Sequence, residues 1–404
     1  MRFTIVTPSY GQLDWLELCI ASVADQQGVG FIEHIVQDAG TAGIEEFARR
    51  MGADFYRDGG KVGRWEGEKV GKCDGESARA DGAKVGKFES AKVEGEGKVN
   101  EWEGEKVGMW EGEGKVEECE GMKVGAERSE PEIGRCGDQT DWSEATAAER
   151  ARRRARSTCE GGNVERKGYS LTIYSEKDAG MYDAINKGLR RATGETCAYL
   201  NCDEQYLPGT LRWVADYFSH STETEVLFGA VIITRADGSY VCDRRVMVPT
   251  RWHTMVSGNL SIFTSSTFFR RKSVVERGLL FDPQWRVCGD AVWTLRFLEA
   301  GLRMEATHKP LSAFAETGVN MSALGNSRAA EENRRLALSA PAAARALKTA
   351  VLLAHRLRRW WSGAYMLRSH DYEVYTSTDA CNRTCFCVNN PTFRWQMGVD
   401  AESA

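Results

Sequence analysis

The sequence predicts an α/β fold, with a mostly parallel sheet flanked by helices and a C-terminal helical extension. Short apolar runs typical of buried strands alternate with amphipathic helical stretches, which favours parallel βα units. Polar residues with useful chemistry follow several of these strands, where α/β folds bind ligands. Beyond about residue 327 the composition becomes rich in Ala, Leu and Arg. The 404 residues, 42% hydrophobic and 27% charged, suffice for a large core.

The first 58 residues predict three strands and two helices. Phe3–Thr7 is an apolar, β-branched run that Pro8 ends, as expected of a buried strand. Leu13–Gln27 carries apolar residues three or four positions apart, the spacing of one helical face. The remaining elements predicted here are a strand over 31–38, a helix over 44–51 and a strand over 53–56.

The same alternation resumes after residue 168. Leu171–Tyr174 predicts a strand, and Met181–Ala192 predicts a helix that Gly194 would end. A strand over 197–201 and a helix over 208–218 follow. Pro208 suits the start of that second helix. A later helix is predicted over 291–300.

Residues 59–167 separate these two parts and predict a disordered, low-complexity insertion. The unit Glu-Gly-Glu-Lys-Val-Gly appears at Glu66–Gly71 and again at Glu103–Gly108. Residues 59–126 hold 16 of the 41 glycines, with 16 acidic and 12 basic residues. Such a stretch buries too little apolar surface to offset the entropy of ordering. The predicted domains are therefore 1–58 with 168–320, the insertion 59–167, and the extension and tail 327–404.

Charge and hydropathy exclude two classes of function. The 53 basic and 58 acidic residues give a net charge of −5, so we expect no nucleic-acid partner. The mean hydropathy of −0.44 excludes a polytopic membrane protein. The first residues lack the features of a signal peptide, and the 12 cysteines form no CxxC pair. These observations predict a cytoplasmic protein with free thiols.

Acidic residues after the predicted strands suggest a metal and nucleotide site. Asn201 and Asp203 follow one strand and offer hard oxygen ligands for Mg²⁺ or Mn²⁺. A metal there can neutralise a departing diphosphate, and Lys187 could add positive charge toward the same phosphates. Taken alone, Asp203 and Glu204 are better explained as the start of a surface turn.

Together these motifs resemble the family 2 glycosyltransferases, whose fold is the Rossmann-like GT-A fold. The resemblance covers Phe3–Asp58 and Tyr169 to about Thr317. The matching motifs, in chain order, are Thr7–Tyr10, Val36–Thr41, Ser175–Gly188, Ala192–Glu195, Asn201–Glu204, Phe268–Arg271 and Gly289–Trp293. This resemblance implies inverting transfer of a sugar from a nucleotide-diphosphate sugar to a hydroxyl acceptor. It also implies a role in cell-surface polysaccharide or glycolipid synthesis.

The resemblance also assigns residues. It implies nucleotide binding by Thr7, Pro8, Tyr10, Asp38, Asp178 and Lys187. It implies metal binding by Asp203, with Asn201 standing where the family usually has an acidic residue. Asp290 falls at the catalytic-base position of the acceptor-side motif, although it could instead cap the helix that follows. The implied partners are a nucleotide-sugar donor and a glycan or lipid-linked acceptor.

Two rival functions were weighed. A dinucleotide oxidoreductase would need Gly-x-Gly-x-x-Gly after its first strand, but Pro8-Ser9-Tyr10-Gly11 stands there. The other rival is a catalytically inactive GT-A relative that binds a nucleotide sugar or glycan. The sequence leaves that alternative open.

The C-terminal extension has two interpretations. Residues 329–361 predict helices with a break at Pro341 and arginines near the end. They could pack on the catalytic domain, or they could bring the protein to the inner face of a membrane, where basic amphipathic helices attach peripherally. The tail predicts strands near 372–375 and 385–388.

Overall fold

The computed structural model describes residues 1–64, 168–258, 260–317 and 327–395. Most of the predicted insertion lies outside the described residues. The strands are β1 (Arg2–Ser9), β2 (Phe31–Asp38), β3 (Asp54–Arg57), β4 (Gly60–Arg64), β5 (Tyr169–Ser175), β6 (Thr196–Tyr199), β7 (Glu204–Tyr206), β8 (Val226–Arg235), β9 (Tyr240–Arg244), β10 (Thr267–Arg270), β11 (Met304–Glu316), β12 (His370–Thr376) and β13 (Asp379–Val388).

The helices follow the predicted order. They are α1 (Leu13–Ala24), α2 (Ile44–Met51), α3 (Met181–Arg191), α4 (Thr210–His220), α5 (Arg251–Val256), α6 (Arg271–Val274), α7 (Gly289–Glu299), α8 (Ser327–Leu338), α9 (Ala342–Ala346) and α10 (Lys348–Trp361). No helix within the described ranges has the length and apolar character needed to cross a membrane.

One large mixed sheet organises the chain. Its strand order is β4-β3-β5-β2-β1-β6-β10-β8-β11-β7, with β9 paired to β8. The run from β3 through β6 is parallel throughout, which confirms the predicted α/β class. Beyond β6 the sheet is mixed, because β10 is antiparallel to both of its neighbours.

Register brings the predicted site residues to one edge of this sheet. Ser9 pairs with Asp38, and Asp38 pairs with Ser175, so β1, β2 and β5 end level with one another. Val6 pairs with Tyr199 in β6, so the turn after β6 emerges beside the end of β1. Parallel strands ending together form the edge at which α/β proteins bind ligands.

Gly194 has a different role from the one predicted. Helix α3 ends at Arg191 and its C-cap, Ala192, has no left-handed conformation (φ −58°). Instead, a Cβ atom on Gly194 would lie 2.5 Å from the backbone of Phe3 and Thr4. Glycine is therefore required because the loop passes close to β1, and not because it caps the helix.

The ends of the described ranges add two structural features. Gly60–Arg64, the first residues of the predicted insertion, pair antiparallel with Asp54–Arg57 as an edge strand. In the extension, the predicted break at Pro341 separates α8 from α9. These two helices bury Leu336 and Ala344 against a cluster that includes Trp285 and Leu295. Strands β12 and β13 form a separate two-stranded sheet, as the tail sequence predicts.

Candidate active site

The carboxylate of Asp38 is fully buried at the end of β2 and organises the loop that follows. Its Oδ2 accepts hydrogen bonds from the backbone N–H groups of Gly40 and Thr41, both at 2.8 Å, and from the Ser175 hydroxyl at 3.1 Å. Its Oδ1 accepts a hydrogen bond from the Thr41 hydroxyl. Asp38 therefore shapes the nucleotide-side loop through contacts that already occupy both carboxylate oxygens.

The Thr7–Tyr10 motif places its side chains in different environments. The Thr7 hydroxyl lies in the core, 2.9 Å from Nε2 of His34, so it faces away from the strand ends. Pro8 is buried, whereas Tyr10 is 72% exposed beside the loop. The Ser9 hydroxyl is buried without a hydrogen-bond partner among the described residues. Tyr10 is thus available for stacking and Ser9 for hydrogen bonding, although the sequence argument did not select Ser9.

Asp178 lies in the loop before helix α3, and Lys187 lies in the second turn of that helix and reaches back to the same loop. Asp178 accepts the backbone N–H of Gly180 at 2.8 Å. The Lys187 ammonium donates to the backbone carbonyl of Lys177 at 2.6 Å and lies 3.5 Å from the Asp183 carboxylate. Both predicted residues therefore hold the 177–180 loop in place.

The turn after β6 forms a buried acidic cluster. Glu204 is only 2% exposed and accepts the backbone N–H of Asn201 at 2.7 Å, so it is not a surface residue, whereas Asp203 lies in the turn and is half-buried. Burial raises the pKa of Glu204 well above its usual range, and the charges of Asp203 and Asp290 raise it further. Three carboxyl groups therefore share one low-dielectric region.

The Asn201–Asp203 turn fits a divalent cation. The Asn201 side-chain oxygen is buried with no hydrogen-bond partner within the described ranges. A cation would occupy this orphaned oxygen and offset the repulsion among the carboxylates. Asp203 also lines a small, open pocket together with Arg235 and Tyr375. No group of three or more His, Cys, Asp or Glu side chains is arranged around a metal position in the part of the chain that the structure describes.

Asp290 lies in the first turn of helix α7 and faces this cluster. The residue that caps α7 is Cys288, so the alternative role of Asp290 as the N-cap is wrong. The Tyr199 hydroxyl donates to Asp290 Oδ1 at 2.7 Å. Burial raises the pKa of Asp290 to about 6, although the hydrogen bond from Tyr199 and the nearby Tyr182 hydroxyl lower it in part. This carboxyl is therefore more basic than an ordinary aspartate.

An aromatic cluster packs next to Asp290. Trp293 stacks on Phe281 with centroids 4.3 Å apart, and Phe281 stacks on Tyr182 at 5.0 Å. A Cβ atom on Gly289 would lie 2.4 Å from the Tyr182 ring. Glycine at 289 thus permits the close packing that positions the Tyr182 and Tyr199 hydroxyls beside the carboxyl.

Glu332 from the extension holds the loop that leads into α7. Its carboxylate accepts three backbone N–H groups, each at 2.9 Å, from Arg286, Val287 and Cys288. Tyr182 donates to the carbonyl of Val287 at 2.9 Å in the same loop. The C-terminal extension therefore takes part in placing Asp290.

The structure brings together Asn201, Asp203 and Asp290, and it places Asp38 and Tyr10 at the neighbouring strand ends. Sequence reasoning missed Glu332, Tyr199 and Tyr182. No local pattern marks Glu332, because its partners are more than 40 residues away. A buried tyrosine in an apolar strand is equally indistinguishable from a core residue until its neighbours are known.

Comparison with known proteins gives a family match for the middle of the chain. Residues 167–279 match the sequence model of the family described as Glycosyl transferase family 2. This stretch is similar in sequence to glycosyl transferase family 2. The family 2 segment includes Asp178, Lys187, Asn201 and Asp203, and it ends before Asp290.

Curated relatives match a longer stretch of the chain. A PGL/p-HBAD biosynthesis glycosyltransferase of Mycobacterium bovis is 26% identical over 157 residues, and its Mycobacterium tuberculosis counterpart gives the same values. The match covers 37% of this chain and 57% of each relative. The chain therefore spans little more than half the length of these relatives.

Similar solved structures include two proteins bound to nucleotide sugars. S. aureus TarS with UDP-GlcNAc gives a TM-score of 0.42 at 11% identity, covering 89% of this chain and 73% of that one. The mannosyltransferase PcManGT from Pyrobaculum calidifontis, with GDP-Man and Mn²⁺, gives a TM-score of 0.38 at 12% identity. That match covers 89% of this chain and 82% of PcManGT.

Proposed function

We propose that this protein is an inverting glycosyltransferase that moves a sugar from a nucleotide-diphosphate sugar to a hydroxyl acceptor. The observation that carries the proposal is the placement of Asp290. A carboxyl whose pKa burial raises to about 6 lies beside the acidic turn that can hold a divalent cation. The family 2 match over residues 167–279 agrees with this chemistry.

Asp290 would act as the general base. As the acceptor oxygen forms its bond to the anomeric carbon, the bond from that carbon to the donor diphosphate breaks. The acceptor hydroxyl proton passes to Asp290, and the diphosphate leaves with the bonding electrons. With a pKa of about 6, the carboxyl is mostly ionised at neutral pH and still binds a proton well. A single displacement of this kind inverts the anomeric configuration.

The nucleotide side has its own binding groups. Tyr10 offers an exposed ring for stacking on a base, and Ser9 offers an unpaired hydroxyl at the same strand end. Asp203 and the Asn201 oxygen would hold Mg²⁺ or Mn²⁺. When bound, the cation supplies charge that stabilises the departing diphosphate.

The proposal extends to biological setting. The named relatives are biosynthetic glycosyltransferases of PGL/p-HBAD. This supports a role in cell-surface polysaccharide or glycolipid synthesis, with a glycan or lipid-linked acceptor. We propose a cytoplasmic location with peripheral contact at the inner face of the membrane, through the basic helix α10.

A donor screen tests the function. Purified full-length protein is incubated with a panel of UDP- and GDP-sugars and Mn²⁺, and released nucleotide is measured. We expect release with at least one donor, and loss of that release in Asp290→Asn. Nucleotide-sugar binding without turnover in the presence of candidate acceptors would instead support the inactive relative. The anomeric configuration of the product, read by NMR, tests inversion separately.

A further inference from the structure

A second concentration of charge lies outside the candidate active site, where helix α10 packs against α5 and the segment that follows β9. We call this set the cationic junction; it comprises Arg244, Arg245, His253, His355, Arg358 and Arg359. The rings of His253 and His355 stack with centroids 3.6 Å apart and planes 18° apart. The charge of Arg359 acts on both histidines and on Arg244.

The arginines of the junction bind backbone oxygens rather than carboxylates. Arg358 donates to the carbonyl of Val248 at 3.3 Å, and Arg359 donates to the carbonyl of Arg245 at 3.1 Å. Arg245 in turn donates to the carbonyl of Gly363 at 2.8 Å. None of the four arginines forms an ion pair with a carboxylate in the described parts of the chain. Their positive charge is therefore largely uncompensated.

The charged groups that surround the junction do not change this balance. His308 on β11 is a further group that could carry a positive charge. Burial lowers its pKa most, and the charges of Arg245 and Arg359 lower it further. Asp243 on β9 is a carboxylate whose charge interacts with that of Arg245. Its own carboxylate is already engaged, by the Tyr240 hydroxyl at 2.9 Å and by His370 at 3.4 Å.

Several polar atoms of the junction lack hydrogen-bond partners. Arg244 Nε, one terminal nitrogen of Arg358, and Nδ1 of both His253 and His355 are buried and unpaired among the residues described. Buried polar atoms without partners are rare and usually indicate an absent water, ion or ligand. An anion with several acceptor oxygens would accept hydrogen bonds from the arginine nitrogens and offset their uncompensated charge.

The outer side of α10 is suited to a membrane interface. Leu353, Leu357, Trp360 and Trp361 are 55%, 58%, 69% and 85% exposed. The helix contains four Lys or Arg residues and no acidic residue. A helix that is basic, exposes aliphatic side chains and ends in tryptophans has the composition of interfacial membrane helices.

We propose that the cationic junction binds the phosphate of an anionic lipid headgroup, with the exposed apolar side chains of α10 in the adjacent membrane interface. Charge complementarity selects this occupant over a second copy of the chain, because α10 offers no acidic residue to pair with its own cations. The inference deepens the proposed peripheral location and does not depend on the transferase reaction.

Vesicle co-sedimentation of the full chain tests the proposal. Vesicles of phosphatidylcholine alone are compared with vesicles that also contain phosphatidylglycerol, at fixed ionic strength. Near an anionic surface one arginine contributes roughly fivefold in affinity, so Arg358→Gln with Arg359→Gln should weaken binding about 25-fold. Arg251→Gln is the matched control, since Arg251 lies on α5 but pairs with Glu299 at 3.0 Å. It should change binding less than twofold.

Other readouts separate the possible results. Quenching of tryptophan fluorescence by brominated lipid should fall in the Trp360→Leu, Trp361→Leu double variant, and circular dichroism checks that each variant folds. Equal weakening by Arg251→Gln would overturn the proposal, because it would indicate diffuse surface attraction. Thermal stabilisation by inorganic pyrophosphate that Arg358→Gln abolishes, with no vesicle binding, would overturn the lipid assignment in favour of a soluble phosphate ligand. Absence of both effects would overturn the site itself.

Discussion

Replacing Asp290 with asparagine should abolish turnover and leave the protein as stable as before, or more stable. Because the pKa of Asp290 rises from 3.8 to about 6, ionising this carboxyl costs roughly 3 kcal/mol more in the folded protein than in the unfolded chain. A carboxyl whose folded pKa is raised destabilises the fold at pH values above that pKa, and the effect disappears below the unfolded value. Asparagine carries no charge and can still accept the hydrogen bond from Tyr199.

The substitution should affect stability and activity in different ways. At pH 8 the free energy of unfolding of Asp290→Asn should equal that of the wild type or exceed it by up to about 3 kcal/mol, and near pH 3.5 the difference should vanish. Loss of a general base should lower the rate of nucleotide release by about 10² to 10⁴-fold. In the wild type, the rate should rise with pH through about 6 as Asp290 ionises.

Urea denaturation and a nucleotide-release assay measure the two effects. Asp282→Asn is the matched control, because Asp282 precedes α7 but lies 3.8 Å from Arg296 and belongs to a different contact. It should retain turnover. Near-normal turnover in Asp290→Asn would refute the base assignment. A large loss of stability in that variant would show that the carboxylate is structural.

The remaining predictions concern other parts of the molecule. Asp203→Ala should remove Mn²⁺-stimulated nucleotide release, and full Mn²⁺-dependent activity in that variant would show that the metal lies elsewhere. Asn201→Asp should raise the affinity for Mn²⁺ measured by calorimetric titration. Glu332→Ala leaves three backbone N–H groups without their acceptor and should lower the free energy of unfolding in urea by at least about 2 kcal/mol. Glu332→Gln should lower it less. Negligible losses in both variants would contradict the role of Glu332 in anchoring the loop. Burial lowers the pKa of the His34 imidazole to about 3, so between pH 6.5 and 3 the unfolded chain binds a proton there and the folded chain does not. Because of this residue, the free energy of unfolding should fall by about 1.4 kcal/mol for each pH unit below 6.5. His34→Gln should reduce the dependence of stability on pH by that amount. Replacing residues 65–167 with a short Gly/Ser linker should leave the thermal transition of the remaining chain nearly unchanged, and loss of soluble protein would count against an independent insertion.

Most of the α/β framework is predictable because its signals are local. The β-branched run at Phe3–Thr7 and the helical spacing after Leu13 each identify an element from a few neighbouring residues, and β1 and α1 occupy those positions. The break at Pro341 is equally local, since proline lacks the N–H that a helix interior requires. Strand direction beyond β6 is different. The antiparallel placement of β10 depends on pairing with strands distant in sequence, so no local pattern indicates it.

The sequence by itself determined which residue types could act, and the tertiary structure decided what each of them does. Asp38 and Thr7 occupy their predicted strand ends, but their side-chain oxygens are engaged by neighbours that only the sheet register brings close. Asp290 could have been a helix cap or a base as far as its motif showed. Burial raises its basicity despite the hydrogen bond from Tyr199, and the fold places it near Glu204. Electrostatic environment arises from atoms far apart in the chain, which is why it cannot be read from spacing alone.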